Sequence, residues 1–314
     1  MRVLVTGGTG SLGHALVRQW YDQHHVIVFS RDELKQSVMA QKFPAVDYFL
    51  GDVRDVERLK LAFHGCDAVV HAAALKRVDA VAGDPIEVVK TNVLGTWNVL
   101  QAALHCGVPR VLFISSDKAC EPANAYGASK FTGEQLVTAF NTFGVPQGVR
   151  ASTLRYGNVL GSRGSVVHVW RGQAGPLTLT APGMTRFIIT MERATWLVDK
   201  VLGGMEGGEI FIPRLKAATL EDLAEAVAPG KGKEYVGLRP GGEKMHEVLM
   251  TGAEAERAVE QDFIITVRPH VSRWREGWPE GEAPKAEALV SSLAPRYTVE
   301  ELAHLMKWVP EGGV

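Results

Sequence analysis

The chain begins with a strand-like apolar run that leads directly into a glycine-rich turn. RVLVT is followed by TGGTGSLG, in which Gly7, Gly10 and Gly13 recur at every third position. In a strand–turn–helix unit, the first glycine permits a tight turn, the second lets backbone approach a pyrophosphate, and the third lets the helix pack on the strand. The following helix directs backbone N–H groups and partial positive charge at phosphates. The turn therefore predicts a dinucleotide site, with a plain glycine-rich turn as the alternative. The further contacts predicted in this turn are Thr9, Ser11 and Leu12.

Strand-like runs alternate with stretches of helical length along the first half of the chain. HVIVFS, DAVVHA, RVLFISS and STLRY continue the strand pattern, and 11–23, 84–106 and 126–143 predict helices. Such alternation is typical of parallel sheets with right-handed crossovers, and continuous apolar strands indicate that both faces are covered. We predict an α/β protein with a Rossmann-type doubly wound parallel sheet in residues 1–155. Residues 156–314 are expected to form mainly a smaller C-terminal substrate-binding lobe, with segments returning to the large domain.

The charge balance argues against a nucleic-acid or membrane-surface protein. Lys and Arg number 34 against 35 Asp and Glu, which gives a net charge of −1, so local cations must bind any acidic ligand. The spacing of Cys66, Cys106 and Cys120 suggests neither disulfides nor a metal site. No apolar run approaches the ~20 residues of a membrane helix. We expect a cytoplasmic protein without a bound metal.

The end of the second predicted strand bears on which dinucleotide is bound. NAD-binding folds place an acidic residue there to accept hydrogen bonds from the ribose 2′-OH, whereas this chain has Ser30, Arg31 and Asp32, followed by Lys35. A guanidinium pairs with a 2′-phosphate in fork geometry, so Arg31 favours NADP, with Ser30 and Lys35 within reach. The alternative is NAD, with Asp32 as the ribose ligand. The other predicted cofactor contacts are Asp52 and Val53 in GDVRD, Ala72, Ala73 and Lys76 in HAAALK, and Asn92 in KTN.

SSDKACEPANAYGASK, at positions 115–130, contains a Tyr-x-x-x-Lys motif downstream of an adjacent acid and cation. Tyr126 and Lys130 are four residues apart and so share one face of a helix. The Lys130 ammonium and a nicotinamide cation would favour the phenolate of Tyr126, which then removes a hydroxyl proton as hydride leaves. We predict that both residues are catalytic, together with Ser116 at the preceding strand end. The alternative is a helical Tyr and Lys that only pack.

Several of these motifs together resemble a known superfamily. TGGTGSLG, HAAALK and YGASK resemble the extended short-chain dehydrogenase/reductases. More narrowly, SRDELKQ, SSDKA, RYGNVLGSRGSV and GGEIFIP resemble the inverting UDP-N-acetylglucosamine 4,6-dehydratases of pseudaminic-acid and capsule-sugar biosynthesis. The resemblance spans nearly the whole chain. It implies an NADP-dependent hydro-lyase that acts on UDP-N-acetylglucosamine or a related UDP-sugar and assembles as a homo-oligomer, either a dimer or a hexamer.

This resemblance also implies roles for the adjacent acid and cation. Oxidation at C4 makes the C5 hydrogen acidic, water is lost across C5 and C6, and hydride returns to C6 to give a UDP-2-acetamido-2,6-dideoxy-hexos-4-ulose. Asp117 is implied as the acid and Lys118 as the base. Retaining relatives carry Asp-Glu here, so Asp-Lys implies inversion at C5. A lysine base must lose its proton, so we predict that burial and cationic neighbours depress the pKa of Lys118.

The predicted ligands of the sugar nucleotide lie mostly in the second half of the chain. Arg186 and Arg239 are the cations assigned to its pyrophosphate, and Asn158 is a donor to a phosphate oxygen. Glu243 is assigned to uridine, although RPGGEK has one glycine more than the RPGEK of the family. The remaining predicted substrate contacts are Lys76, Ser165 and Val166.

Other interpretations of the sequence stay open. One is a UDP-sugar C4-epimerase or a retaining 4,6-dehydratase; another is a non-catalytic NADP-sensing scaffold protein, although such proteins tend to lose the Tyr/Lys pair. Where the family usually has Ala-Asn, this chain has Cys120-Glu121. Cys120 is interpreted as a small filler rather than a nucleophile, and Glu121 as an extra acid/base or an influence on Lys118.

Overall fold

The computed structural model describes residues 1–77, 83–270, 272–274, 278 and 281–310. The strands are β1 (Arg2–Thr6), β2 (His25–Ser30), β3 (Asp47–Leu50), β4 (Ala68–His71), β5 (Arg110–Ile114), β6 (Arg150–Leu154), β7 (Asn158–Val159), β8 (Leu177–Leu179), β9 (Thr185–Ile189), β10 (Ile210–Pro213), β11 (Ala217–Thr219), β12 (Lys233–Tyr235), β13 (Val248–Met250), β14 (Ala258–Gln261), β15 (Ile264–Val267) and β16 (Leu289–Val290). The α-helices are α1 (Ser11–Trp20), α2 (Glu33–Lys42), α3 (Val56–Phe63), α4 (Pro85–Val88), α5 (Gly95–Cys106), α6 (Ala125–Gly144), α7 (Val166–Gly172), α8 (Met191–Gly204), α9 (Leu220–Val227), α10 (Gly252–Ala255) and α11 (Val299–Met306).

A nine-stranded sheet lies at the centre of the fold, in the order β14-β15-β10-β6-β5-β4-β1-β2-β3. β1 to β6 and β10 are parallel, while β15 and β14 add antiparallel strands at one edge. The strand order reverses between β1 and β4, and open α/β sheets bind ligands at the carboxyl ends of strands around such a point. The predicted α/β fold with a Rossmann-type doubly wound sheet is confirmed.

Apolar residues cover both faces of this sheet. In β1, Val3 and Val5 face one core and Leu4 faces the other, and all three are fully buried. α1 and α8 pack on the first face, whereas α3, α5 and α6 pack on the second. This arrangement explains why the parallel strands read as continuous apolar runs rather than as alternating ones.

Both halves of the chain contribute to the large sheet. β10, β14 and β15 all come from beyond residue 155 and extend it past β6. The remaining elements form three small sheets, β11-β9-β7, β12-β8 and β13-β16. A separate apolar core, with Trp170, Leu179 and Leu302 fully buried, holds α7, α9 and α11 together.

One predicted helix is interrupted. The stretch predicted as a single helix over 84–106 consists of α4, a π-helical segment (Val89–Leu94) and α5. The apolar pattern continues through all three, so it did not reveal the change of winding. In the part of the chain that the structure describes, no helix has the length and apolar character needed to cross a bilayer.

Candidate active site

The glycine-rich turn between β1 and α1 has the shape that its sequence predicts. Gly7 has a φ of +66°, and a Cβ there would lie 2.8 Å from the Ala73 Cα. A Cβ on Gly13 would lie 2.1 Å from the Gly8 carbonyl oxygen. Gly10 is the N-cap of α1, so the N–H groups of the first helical turn point to the carboxyl edge of the sheet. The turn therefore offers a cradle for a pyrophosphate that side chains would fill.

Residues from the second half of the chain lie against this turn. The Arg163 backbone N–H donates to Ser11 Oγ at 2.8 Å, and its guanidinium donates to the buried Thr9 carbonyl at 3.4 Å. Lys76 Nζ donates to the Arg163 carbonyl at 3.2 Å. Leu12 lies in the first turn of α1 and packs against the apolar core. Arg163 thus joins Thr9, Ser11 and Lys76 at the predicted phosphate site.

The end of β2 places the residues that bear on cofactor choice. Asp32 is the N-cap of α2, accepts a hydrogen bond from the Lys35 N–H at 3.0 Å, and also pairs with the Lys35 ammonium. Arg31 is exposed, with its guanidinium 3.7 Å from the Asp52 carboxylate. Ser30 is buried, and its Oγ accepts from Gln36 at 3.1 Å. The Asp32 carboxylate is engaged locally, whereas the Arg31 guanidinium faces solvent.

The loops after β3 and β4 are held by short contacts. Asp52 accepts hydrogen bonds from Arg54, and Val53 is buried. After β4, the Ala72 N–H donates to the Thr6 carbonyl at 3.2 Å and the Ala73 N–H to Thr6 Oγ1 at 3.3 Å. These bonds fix the loop beside the glycine-rich turn.

Asn92 comes from the π-helical segment and reaches the same loop. Its Oδ1 accepts from the Leu75 N–H at 2.8 Å, and its Nδ2 donates to the Leu75 carbonyl at 2.9 Å and to Ser129 Oγ at 2.9 Å. The changed winding therefore supplies a side chain that joins the β4 loop to α6. Asn92 is buried, and its contacts hold the β4 loop in place.

Tyr126 and Lys130 lie on the buried side of α6. Lys130 Nζ donates to the Ile114 carbonyl at 2.6 Å and lies 4.3 Å from the centroid of the Phe113 ring. Burial lowers the pKa of Lys130 to about 7, although Glu134 opposes this. Burial likewise raises the pKa of Tyr126, and the charge of Lys118 opposes the rise. The expectation that cations favour the phenolate is not met by the protein groups alone, because desolvation of Tyr126 prevails.

Asp117 and Lys118 occupy a 3-10 turn (Asp117–Ala119) capped by Ser116, whose Oγ accepts from the Lys118 N–H at 3.3 Å. Asp117 is fully buried, and its Oδ1 accepts from Ser116 Oγ at 2.9 Å and from Lys118 Nζ at 3.0 Å. Burial raises the pKa of Asp117, and Lys118 opposes this. The structure brings these residues together beneath Tyr126, whose hydroxyl interacts with Ser116.

The predicted depressed pKa of Lys118 is wrong. Burial lowers the pKa of Lys118. The carboxylates of Asp117 and Glu247 raise it by more than burial lowers it, so the pKa lies above the ordinary lysine value. Glu247 Oε1 is 3.3 Å from Lys118 Nζ, and Lys118 also donates to Asn158 Oδ1 at 3.1 Å. The cationic Arg186 does lower the pKa of Lys118, as expected, but the two anionic neighbours outweigh it.

The predicted pyrophosphate cations share one carboxylate. The buried Arg186 donates to Glu243 Oε1 at 2.9 Å, and the exposed Arg239 donates to the same carboxylate at 2.6 and 3.0 Å. Burial raises the pKa of Glu243, but the two arginines lower it by more, so its pKa lies below the ordinary value. Arg239 and Glu243 line one pocket with Lys118 and Glu247. Arg186 lies beside this pocket, with its Nε 4.0 Å from Glu247 Oε1.

The extra glycine in RPGGEK has a structural explanation. Gly241 and Gly242 have φ values of +96° and +95°, a backbone region that strongly favours glycine. A Cβ on Gly242 would lie 2.2 Å from the Ala123 carbonyl oxygen, and the Gly242 carbonyl accepts from Asn124 at 2.9 Å. The two glycines thus let the loop return to the segment before Tyr126 and keep Glu243 beside Arg239.

Ser165 and Val166 lie where the chain enters α7. Ser165 is the N-cap of α7 and Val166 its first residue, and both are half-buried. Among the described residues, the Ser165 Oγ has no hydrogen-bond partner. Both are close in sequence to Arg163, which lies against the glycine-rich turn.

A buried ionic cluster, not predicted from the sequence, lies beside the 3-10 turn Asp117–Ala119. Arg155 is 1% exposed and donates to Glu134 at 2.5 and 2.9 Å and to Glu254 at 2.8 and 3.0 Å. It also donates to Cys120 Sγ at 3.0 Å. Burial raises the pKa of the Cys120 thiol, which fits a packing role for this residue. Glu121 is exposed, with a φ of +46°.

Glu247 and the Arg155 cluster share one reason for being missed: their partners are far apart in sequence. EKMHEV signals only a mixed polar stretch, and no local pattern connects it to Lys118. A charged residue at the end of an apolar strand, such as Arg155 after STL, is the one local signal that was present, because an isolated buried charge requires partners.

The sequence profile of the family described as "Polysaccharide biosynthesis protein" matches residues 3–269. The chain belongs to this family. It is 40% identical over 278 residues to a protein named "UDP-N-acetylglucosamine 4,6-dehydratase (inverting)" from Campylobacter jejuni, with 86% of this chain and 83% of the relative covered. It is 35% identical to a "UDP-glucose 4-epimerase" from Rickettsia conorii, with 97% and 94% covered.

A solved structure is similar over almost its full length. The structure titled "X-ray structure of Pen from Bacillus thuringiensis" has a TM-score of 0.90 at 32% identity. The similarity covers 98% of this chain and 96% of the other chain. These relatives confirm the predicted resemblance to extended short-chain dehydrogenase/reductases and to the inverting dehydratases.

Proposed function

We propose that this protein is an NADP-dependent UDP-N-acetylglucosamine 4,6-dehydratase that inverts C5. The observation that carries the proposal is the buried contact of Asp117 with Lys118 next to Ser116 and Tyr126. An acid and a cation beside the tyrosine that takes the hydroxyl proton fit elimination after oxidation. The similarity to the relative named as an inverting dehydratase supports the same reaction.

The cradle at Gly7 and Gly13 fits the pyrophosphate of a dinucleotide, because a Cβ at either position would meet backbone. The exposed Arg31 favours the 2′-phosphate of NADP, while Asp32 is engaged in capping α2. The residues proposed to hold the cofactor are those predicted above, with Arg163 added. When bound, the nicotinamide would supply the chemistry of accepting hydride from C4 and returning it to C6.

Tyr126 takes the proton of the sugar 4-hydroxyl, and Ser116 orients that oxygen. Lys130 anchors α6 at the Ile114 carbonyl and so positions Tyr126 on the same helix. A proton then passes from Lys118 to Asp117, 3.0 Å away, which leaves a neutral amine on Lys118 and a protonated carboxyl on Asp117. Lys118 becomes the base that removes the C5 hydrogen, and Asp117 becomes the acid that protonates the leaving C6 oxygen.

The sugar nucleotide is proposed to lie between the catalytic turn and residues 239–247. Arg186 and Arg239 supply positive charge to its pyrophosphate, and Glu243 holds these two cations at a fixed separation. Asn158 orients Lys118 through its side-chain carbonyl. The other proposed substrate contacts are Lys76, Ser165 and Val166.

The decisive experiment is turnover of UDP-N-acetylglucosamine with NADP in deuterated water. We expect loss of one water, a 6-deoxy-4-keto product with deuterium at C5, and no net reduction of cofactor. Lys118→Ala is expected to abolish this product while cofactor binding is retained. The matched control is Lys216→Ala, which removes a partly exposed ion pair with Glu301 and a contact with the Tyr297 ring, and it is expected to turn over normally. A product that keeps its 6-hydroxyl contradicts the proposal.

The second candidate is a UDP-sugar C4-epimerase, which the relative named "UDP-glucose 4-epimerase" favours. An epimerase needs the tyrosine but no acid at the C6 oxygen. A C4 epimer that keeps its 6-hydroxyl, formed equally well by Asp117→Asn, would establish this alternative. A retaining 4,6-dehydratase would give the same loss of water with the opposite configuration at C5, which product NMR resolves.

We also propose a cytoplasmic homo-oligomer, a dimer or a hexamer. The helical stretches predicted over 84–106 and 126–143 expose large apolar side chains: Ile86 on α4, and Phe131 and Phe143 on α6. Burial of such side chains against a second copy would be favourable, because apolar surface is removed from water.

A further inference from the structure

Glu247 faces the proposed acid–base pair from the opposite side of the site. It is 2% exposed, and its Oε1 lies 3.3 Å from Lys118 Nζ, while Asp117 Oδ1 lies 3.0 Å from the same nitrogen. The ammonium therefore lies between two buried carboxylates. Neither the glycine-rich turn nor the Tyr-x-x-x-Lys motif involves Glu247.

The backbone of Glu247 is fixed by a buried serine. The Glu247 N–H donates to Ser291 Oγ at 2.8 Å, and the Ser291 N–H donates to the Glu247 carbonyl at 2.8 Å. Ser291 is fully buried and also contacts Thr185 at the start of β9. This reciprocal pair of bonds sets the position of the carboxylate against Lys118.

Asp117 is arranged to exist in two protonation states. One oxygen, Oδ1, accepts from Ser116 and Lys118, whereas the buried Oδ2 has no hydrogen-bond partner among the described residues. A buried oxygen without a donor is poorly suited to a permanent negative charge but can bear a proton. The dehydration requires that Asp117 and Lys118 together hold one proton, and that this proton is on Asp117, the acid, rather than on Lys118, the base.

We infer that Glu247 is a positioning residue whose charge sets the pH range in which the Asp117–Lys118 pair holds that single proton. This inference rests on the proposed dehydration. A fixed negative charge favours the protonated forms of both neighbours, so it moves both titrations of the pair to higher pH. The other charged and titratable groups that face this trio are Arg186 on β9, Lys244 in the preceding loop and Tyr126 on α6.

Glu247→Gln tests the inference, because it keeps the shape of the side chain and removes its charge. Both limbs of the kcat–pH profile are expected to move to lower pH by about 1–3 units. Glu247→Asp keeps the charge and is expected to leave the limbs near their original positions. The matched control is Glu243→Gln, which removes a carboxylate that contacts Arg186 and Arg239 rather than Lys118; we expect it to raise KM and leave both limbs in place.

If Glu247→Gln does not fold, Ser291→Ala loosens the same carboxylate, and a smaller shift in the same direction is expected. Unmoved limbs in a folded variant overturn the inference, as does a Glu247→Asp profile shifted as far as that of Glu247→Gln. Carboxyl ¹³C NMR, with the Asp117 signal assigned by Asp117→Asn, gives a readout without turnover. Its titration is expected at lower pH in Glu247→Gln, and an unchanged titration refutes the inference. Absence of dehydrated product in the wild-type protein would instead refute the proposed function.

Discussion

Replacing Arg155 by methionine is expected to destabilise the fold strongly. Arg155 is 1% exposed and Glu134 is fully buried, and their two hydrogen bonds are 2.5 and 2.9 Å long. Without the guanidinium, the hydrogen bond left to Glu134 among the described residues is the one from Ser115 Oγ. Glu254 keeps its bonds in the capping box at Thr251 and a weak bond from Cys120 Sγ. Removing one partner of a buried pair costs about 3–5 kcal/mol, because a buried charge is left uncompensated.

Thermal unfolding followed by circular dichroism measures this loss. At roughly 2 °C per kcal/mol for large domains, the expected decrease in Tm is about 6–10 °C. The matched control is Arg150→Met on the same strand, whose ion pair with Glu206 is 3.0 Å long and 44% and 43% exposed. An exposed pair contributes ~1 kcal/mol or less, so this control is expected to change Tm little.

A second variant separates the charge from the packing. Arg155→Met combined with Glu134→Leu removes the stranded carboxylate, and apolar replacements of buried ion pairs are often neutral. We expect the double variant to recover part of the lost stability. An Arg155→Met protein that melts within about 2 °C of Arg150→Met would show that the buried cluster contributes no more than a surface pair.

Two further predictions concern acid stability and cofactor choice. Burial raises the pKa of Glu254, but Arg155 lowers it by more, to about 2. The ionised Glu254 therefore stabilises the fold above its ordinary pKa of 4.5, and this stabilisation is lost as the pH falls toward 2. Glu254→Gln should flatten the decrease of Tm in this range, and a Tm–pH curve parallel to that of the wild-type protein would contradict the assignment. Arg31→Ala is expected to weaken NADP binding about 10-fold or more and to leave NAD binding unchanged, as measured by fluorescence titration; equal weakening of both would show that Arg31 does not bind the 2′-phosphate.

The parts of the fold that follow from local pattern were predictable. RVLVT and the glycine-rich turn form a strand, a turn at positive φ and a helix, since each step depends on residues close in sequence. The two-sided burial of β1 likewise follows from its uninterrupted apolar run. The π-helical segment was not predictable in this way, because its winding depends on the contact of Asn92 with a distant loop.

The electrostatics of the site depended on contacts that the sequence does not reveal. Asp117 and Lys118 were recognisable from their motif. The pKa of Lys118 is raised by Asp117 together with Glu247, and Glu247 lies far away in sequence, with its backbone held by Ser291. In the same way, the sequence did not show how the extra glycine before Glu243 is accommodated. Two adjacent residues with positive φ absorb the added length, and this is visible only once the backbone path is known.

The shared sheet limits how this molecule can move. β10, β14 and β15 hydrogen-bond into the same nine-stranded sheet as β1 to β6, so the second half of the chain joins this sheet at several strands instead of through one linker. Rotation of the second half against the first as a rigid body would have to bend all of these connections together, which a single-linker hinge avoids. We therefore expect any conformational change on ligand binding to occur in peripheral segments, such as residues 236–244 with their two successive glycines, rather than in the sheet.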